Sequence, residues 1–208
     1  HPIAKKIRDF KERNIKKEEK YIGLFPGSRE NEIKRNLPIM LRTALFFKDE
    51  KFILNIPSAL KEMANKIIDN LNLNVKVNYD QYYETLYQCK FAMVSSGTAT
   101  LEAALLGISF VIIYEVNGFT YMIGKYLAKV DFIGLPNILL EREAFKEFLQ
   151  NNAKPKKIYE FIDKNMGNIK FKEEISTASQ KLHQILGQKN YSELASNYIL
   201  KILEGNNV

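Results

Sequence analysis

A single cysteine among 208 residues, Cys89, has no second thiol to pair with, so no internal disulfide staples this chain. Its neighbours show no His, Lys or Arg pattern that would depress a thiol pKa, and it reads as a small buried hydrophobe with no chemical role. Histidine is almost as scarce. His1 and His183 are the only imidazoles, too few and too scattered for a zinc site. No apolar run approaches the roughly 20 residues of a bilayer-crossing helix, because the longest candidates, such as residues 109–114, are only strand-sized. Neither a Walker sequence nor a G-x-G-x-x-G fingerprint occurs, which removes support for a kinase or a nicotinamide dehydrogenase. From these absences we expect a soluble domain in a reducing cytoplasm. The first residues, His1-Pro2-Ile3-Ala4-Lys5-Lys6, contain neither an initiator Met nor a signal-peptide core, so a segment of a longer protein is expected.

What is present is ample apolar material, 46% of the chain, with 26% charged residues. That balance supports one globular domain with a helical appendage. The net charge is +7, and the first twenty residues hold eight Lys or Arg against four acids. Such a surface attracts anions: nucleic acid, an anionic membrane or a phosphorylated small molecule all fit the sign. Taken alone, Lys5 to Lys20 reads as a solvated basic helix.

Along the chain, apolar runs and helical periodicity alternate. Strands are predicted at Tyr21 to Phe25, Phe52 to Ile56, Val75 to Val77, Phe91 to Val94 and Phe110 to Tyr114. Helices are predicted between them: from Ile33 to Phe47, with Pro38 splitting off a short first turn, then Leu60 to Leu71, Tyr82 to Gln88 and Thr98 to Leu106. Repeated alternation of this kind predicts a doubly wound α/β domain, a parallel sheet with helices on both faces, over residues 1–150. From Asn151 to Val208 strands vanish and the pattern is Lys-rich helix, a tail that packs on the sheet domain, on a further domain or on a partner chain.

Two glycine turns follow strands, where open α/β sheets bind their ligands. In the first, Phe25-Pro26-Gly27-Ser28-Arg29-Glu30, Gly27 admits a close backbone approach, Ser28 can cap the following helix, and Arg29 offers a forked donor to phosphate. An ordinary Pro-Gly turn with an exposed Arg fits the same residues. The second, Ser95-Ser96-Gly97-Thr98-Ala99-Thr100-Leu101-Glu102, opens a small-residue helix. Its first amides and the hydroxyls of Ser96 and Thr98 would surround an anion, favoured by the positive end of the helix dipole. Glu102 shares a helix face with Thr98, opposite Leu101, Ala104 and Leu105, and is placed to accept from ribose hydroxyls; the plain alternative is a first-turn acid that stabilises the dipole. Both turns are expected to converge on one nucleoside diphosphate.

These blocks resemble the carboxyl half of the lipid-A-disaccharide synthases. Pro26 to Ile33 matches P-G-S-R-x-x-E-I, and Ser96 to Glu102 reproduces S-G-T-A-T-L-E. A third block resembles Tyr114, Val116, Thr120, Tyr121, Lys125, Leu127, Lys129, Val130 and Leu135-Pro136-Asn137, followed by Arg142 and Glu147-Phe148-Leu149-Gln150. Glu141 and Lys146 depart from the family pattern, which has small or Pro residues there. The resemblance implies the Rossmann-like second domain of a GT-B glycosyltransferase. It implies a UDP-sugar donor bound by Gly27, Ser28, Arg29, Ser96, Gly97, Thr98, Ala99 and Glu102, with Lys125 and Gln150 lining the donor, and Arg29 and Asn137 as candidate catalytic residues. No cofactor or metal is implied, in keeping with the lack of any Asp-x-Asp pair. The implied reaction moves 2,3-diacylglucosamine from UDP to 2,3-diacylglucosamine 1-phosphate with inversion. The general base and acceptor contacts would lie in an amino-terminal domain outside this sequence. Peripheral attachment to the inner face of the inner membrane and a homodimer through the tail are further expectations. A UDP-sugar epimerase uses a similar S-G-x-x-x-x-E turn and remains the alternative within this chemistry. A basic nucleic-acid-binding module is the alternative outside it, although no zinc knuckle, RNP aromatic pair or helix-turn-helix supports one, and no nucleic acid is expected as a partner.

Overall fold

In the computed structural model, residues 2–13, 15–71, 73–115 and 131–187 are described. Helix α1 (Pro2–Lys11) leads to β1 (Tyr21–Phe25), α2 (Glu30–Ala44), β2 (Phe52–Ile56), α3 (Lys61–Asp69), β3 (Val75–Tyr79) and α4 (Tyr82–Tyr87). Then come β4 (Cys89–Ser95), α5 (Thr98–Leu105), β5 (Phe110–Tyr114), α6 (Leu135–Leu140), β6 (Glu147–Leu149), α7 (Pro155–Met166) and α8 (Ile169–Ile185). The strands form one sheet in the order β3-β2-β1-β4-β5-β6, and every neighbouring pair is parallel. This is a Rossmann-like doubly wound sheet, as the alternation of elements predicts.

Period-two side-chain alternation divides each central strand between two cores. Phe91, Met93, Val111 and Ile113 join Ile33, Leu37, Met40, Ile158 and Ile162 on the face covered by α2, α3 and α7. Ala92, Val94, Phe110 and Ile112 point the other way, toward Ile7, Phe10, Leu101, Leu105, Ala178 and Leu182 of α1, α5 and α8. Each fully buried Leu, Ile or Phe contributes about 1.5–3 kcal/mol. The basic start is therefore less solvated than its charge suggests: only α1 is helical there, and it sinks Ala4, Ile7 and Phe10 into the core. Both described tail helices also pack on the sheet domain, α7 against α2 and α8 against α5 and α6.

One expectation about elements needs correction, and two elements had no counterpart in the sequence reading. Helix α2 runs unbroken through Pro38. A proline inside a helix costs about 3 kcal/mol, but Leu37, Ile39, Met40 and Leu41 around it are all buried, and that burial outweighs the loss. Strand β6 was not foreseen because three residues carry too short an alternation to register. Helix α6 was also unforeseen; it starts with Pro136 in its first turn and ends at Glu141 in the left-handed region.

Candidate functional site

Chain order runs outward from β1 in one direction and from β4 in the other, so β1 and β4 flank the point where strand order reverses, the usual place for a crevice. Phe25 and Val94 are register partners in those two strands. The turns that follow them therefore leave the sheet side by side. Between them lies a cleft of about 710 Å³, lined by Gly27, Ser28 and Arg29 from one turn and by Ser96, Gly97, Thr98, Ala99 and Glu102 from the other. Its far wall comes from the ends of β2 and β3, at Asn55, Pro57 and Asp80.

In the first turn, Gly27 has φ +114°, and a side chain there would come within 2.9 Å of the Glu32 Cβ. Glu32 explains the crowding. Its carboxylate accepts from the amides of Ser28 at 3.1 Å and Arg29 at 3.4 Å, and pairs with the Arg29 guanidinium at 3.2 Å. Arg29, not Ser28, occupies the helix cap position, and no side chain caps α2 there; the expected Ser28 cap is replaced by Glu32 reaching back from the first turn. The Arg29 side chain is 83% exposed, tethered at one nitrogen and otherwise open.

The second turn is open. Gly97 has φ +139° and ψ −164°, and an added Cβ would meet nothing within 4 Å. Thr100 Oγ1 donates to the Gly97 carbonyl at 2.7 Å, but no side chain caps α5. The amides of its first residues, Thr98 and Ala99, are thus left for a ligand or water at the positive end of the helix dipole. Ser96 spends its hydroxyl proton on the Ile133 carbonyl, 3.3 Å away. Tyr82 donates to the Ala99 carbonyl at 2.6 Å, and Tyr83 donates to Oε1 of Glu102 at 2.7 Å. Burial, and then the nearby Glu102 charge, hold both phenols protonated well above the ordinary tyrosine range. Glu102 itself stays at the cleft wall.

The family described as lipid-A-disaccharide synthetase matches residues 1–202. This chain belongs to the lipid-A-disaccharide synthetase family. It is 34% identical over 218 residues to the lipid-A-disaccharide synthase of Persephonella marina, covering 97% of this chain and 58% of that protein. It is 33% identical over 226 residues to that of Nitrosococcus oceani, covering 100% of this chain and 57% of the relative. The chain thus spans well under two thirds of the length of these curated relatives. Among solved structures, Acinetobacter baumannii MurG matches with a TM-score of 0.54 at 15% identity, over 92% of this chain and 52% of that one. The spinosyn rhamnosyltransferase SpnG, complexed with thymidine diphosphate, matches with a TM-score of 0.51 at 13% identity, over 79% and 42%. At such identities the likeness concerns the fold, that of GT-B glycosyltransferases.

Within this member of the lipid-A-disaccharide synthetase family, two expected site residues, Asn137 and Gln150, lie apart from the cleft walls. Asn137 is fully buried. Its Nδ2 donates to the Phe145 carbonyl at 2.7 Å and Glu147 Oε1 at 2.8 Å, and its Oδ1 accepts from the amides of Ala144 and Phe145 at 3.0 and 2.9 Å. Every hydrogen-bonding position of the Asn137 amide is thus engaged inside the fold, where it braces the loop before β6. Gln150 begins a 3-10 turn after β6 with φ +49°, and its Nε2 is buried without a partner among the described residues. Lys125, with Val116 to Val130, lies outside the described residues.

Sequence reading missed the residues that hold the site. Glu147 accepts from the amides of Ile133 and Gly134 at 3.0 and 2.9 Å, setting the loop that bears Ile133 on the cleft. Asn36, invisible as one polar residue in an apolar helix face, links the ends of three strands. The only signal for it was that polarity. Cys89 is buried, donates to the Thr85 carbonyl at 3.1 Å, and has its thiol pKa pushed up by burial, as an inert core thiol should. Among the described residues no cluster of three or more His, Cys, Asp or Glu is arranged to hold a metal ion, and no helix is long and apolar enough to cross a membrane.

Proposed function

We propose that this chain is the donor-binding part of a lipid-A-disaccharide synthase, holding UDP-2,3-diacylglucosamine by its diphosphate and ribose. One observation carries the reading: the Gly27 and Gly97 turns stand side by side at the point where strand order reverses, with Arg29 and Glu102 in the same cleft. The diphosphate sits at the open start of α5, where the Thr98 and Ala99 amides and the helix dipole meet it, and Arg29 reaches over from the opposite turn. Glu102, with Oε1 held by Tyr83, offers its other oxygen to ribose hydroxyls. The thymidine diphosphate in SpnG, a protein of the same fold, is consistent with a nucleoside diphosphate in such a cleft.

Transfer then breaks the bond between the anomeric carbon and the diphosphate oxygen, while an acceptor hydroxyl of 2,3-diacylglucosamine 1-phosphate attacks the opposite face. The configuration inverts and UDP departs. Charge grows on the leaving diphosphate as the sugar becomes oxocarbenium-like, and Arg29 with the α5 amides stabilises it more in the transition state than in the ground state. These groups supply the positive charge without a metal. The base that takes the acceptor proton belongs to an amino-terminal domain, so the chain alone binds UDP without turning over; disaccharide formed by the purified chain would overturn that part.

The basic surface suits peripheral docking on anionic lipid at the inner face of the inner membrane. Vesicle sedimentation that does not weaken with salt would count against it. A homodimer through the tail is checked by analytical ultracentrifugation. The central test is calorimetric titration with UDP, ADP and GDP. We expect UDP to bind best, and Glu102→Ala and Arg29→Ala each to lose about 1–3 kcal/mol. Absence of UDP binding by the wild type, or unaltered affinity in both variants, refutes the reading.

A further inference from the structure

We propose that Asn36 is a positioning residue that sets the separation of the two glycine turns and through it the affinity for the nucleotide. The inference rests on the nucleotide-binding reading above. Asn36 is fully buried in the first half of α2, on a helix face otherwise made of Ile33, Leu37 and Met40. Packing gives no reason for an amide there, and burying one costs free energy unless it is fully hydrogen-bonded.

Its bonds show what it does. Nδ2 donates to the Pro26 carbonyl at 3.2 Å and to Ser95 Oγ at 3.0 Å, while Oδ1 accepts from the Glu115 amide at 3.2 Å. Pro26 immediately precedes Gly27. Ser95 precedes Ser96-Gly97, and Glu115 is the first residue after β5. The β1–β4 ladder ends at the Phe25 and Val94 pair, so beyond it these turns have no ladder to keep them in register. One side chain, held by α2, takes the place of the missing β1–β4 rung and reaches the residue after β5 as well. A diphosphate bridging both turns needs their spacing held to a fraction of an ångström, because displacements of about 1 Å weaken contacts severely.

The test compares Asn36→Leu, Ser95→Ala and the double variant, titrated with UDP well below the melting transition, together with amide NMR spectra. Asn36→Leu keeps the branched shape and the number of heavy atoms and removes the tie; we expect UDP affinity about tenfold weaker, equivalent to about 1.4 kcal/mol. Ser95→Ala, the milder change, should weaken it by a smaller factor and add little once Asn36 is Leu, since the two act through one bond. In the free protein, Asn36→Leu should move the amide signals of both Gly27 and Gly97. Variants that melt earlier but bind UDP like the wild type would reduce Asn36 to a stability role and overturn the proposal. Unmoved glycine amides would overturn it whether or not any nucleotide binds, whereas a wild type that ignores UDP while both amides shift defeats the nucleotide reading alone.

Discussion

Tyr83 Oη stands 2.7 Å from Glu102 Oε1, donating from α4 across to the first turns of α5. The contact fixes one carboxylate oxygen and aims the other. Burial, then the hydrogen bond to Glu102 and its charge, raise the phenol's pKa above the ordinary tyrosine range, so the donor keeps its proton around neutral pH. Tyr83→Phe removes the orienting bond without removing the carboxylate. UDP affinity in a calorimetric titration should fall about three- to tenfold, less than for Glu102→Ala, with melting changed by no more than about 1 kcal/mol. Equal effects of Tyr83→Phe and Glu102→Ala would mean that orientation, not charge, governs the contact.

Cys89 and three partly buried tyrosines, Tyr82, Tyr83 and Tyr87, hold their protons more tightly in the folded protein than in the unfolded chain. Burial raises the Cys89 thiol from its ordinary 9.0, and Tyr82 and Tyr83 are raised from 10.0. Above those ordinary values the unfolded chain loses protons that the native state keeps, so the contribution of these groups to stability is whole below about pH 8 and declines as pH rises. Thermal melts across that range should show the decline. In Cys89→Ala the first part of the slope disappears, even though the small cavity lowers melting at every pH. An unchanged slope in that variant would remove Cys89 from the account.

The two glycines should respond differently to alanine. Gly97 has a backbone conformation that only glycine adopts readily, with open space around a Cβ. Gly97→Ala therefore costs about 1–3 kcal/mol of backbone strain and, by relaxing the turn, removes UDP binding. Gly27→Ala adds a collision with Glu32 to its strain, displacing the carboxylate that tethers Arg29. Urea denaturation should rank Gly27→Ala as the more damaging to stability.

Asn137→Ala leaves the Phe145 carbonyl and the Ala144 and Phe145 amides without their partner in a buried place. A loss of about 2–4 kcal/mol in denaturant unfolding is expected. UDP affinity measured below the transition should change little. A large loss of affinity with intact stability would instead put Asn137 at the donor.

Much of this was legible locally. Alternating apolar runs with helical stretches marked the sheet strands from β1 to β5, since side-chain period reports which faces are buried wherever a run is long enough. Three-residue β6 fell below that length, and Pro38 suggested a break that core burial prevented. Both glycine turns could be read because a Gly after a strand and before a helix has few other uses. The bonds of Asn137 were not legible, because a residue after Leu-Pro in a family block looks the same whether it faces a ligand or a loop carbonyl.

The sequence by itself determined the α/β class, the two turns and the chemistry each can offer, because these depend on residues within a few positions of one another. Tertiary structure alone decided that the turns adjoin, that Glu32 occupies the amides of the first, that Tyr83 orients Glu102, and that Asn36 ties strand ends 59 and 79 positions away in sequence. Those relations arise from how crossover connections stack strands beside one another, and no local pattern of polarity records which distant residues the stacking brings together.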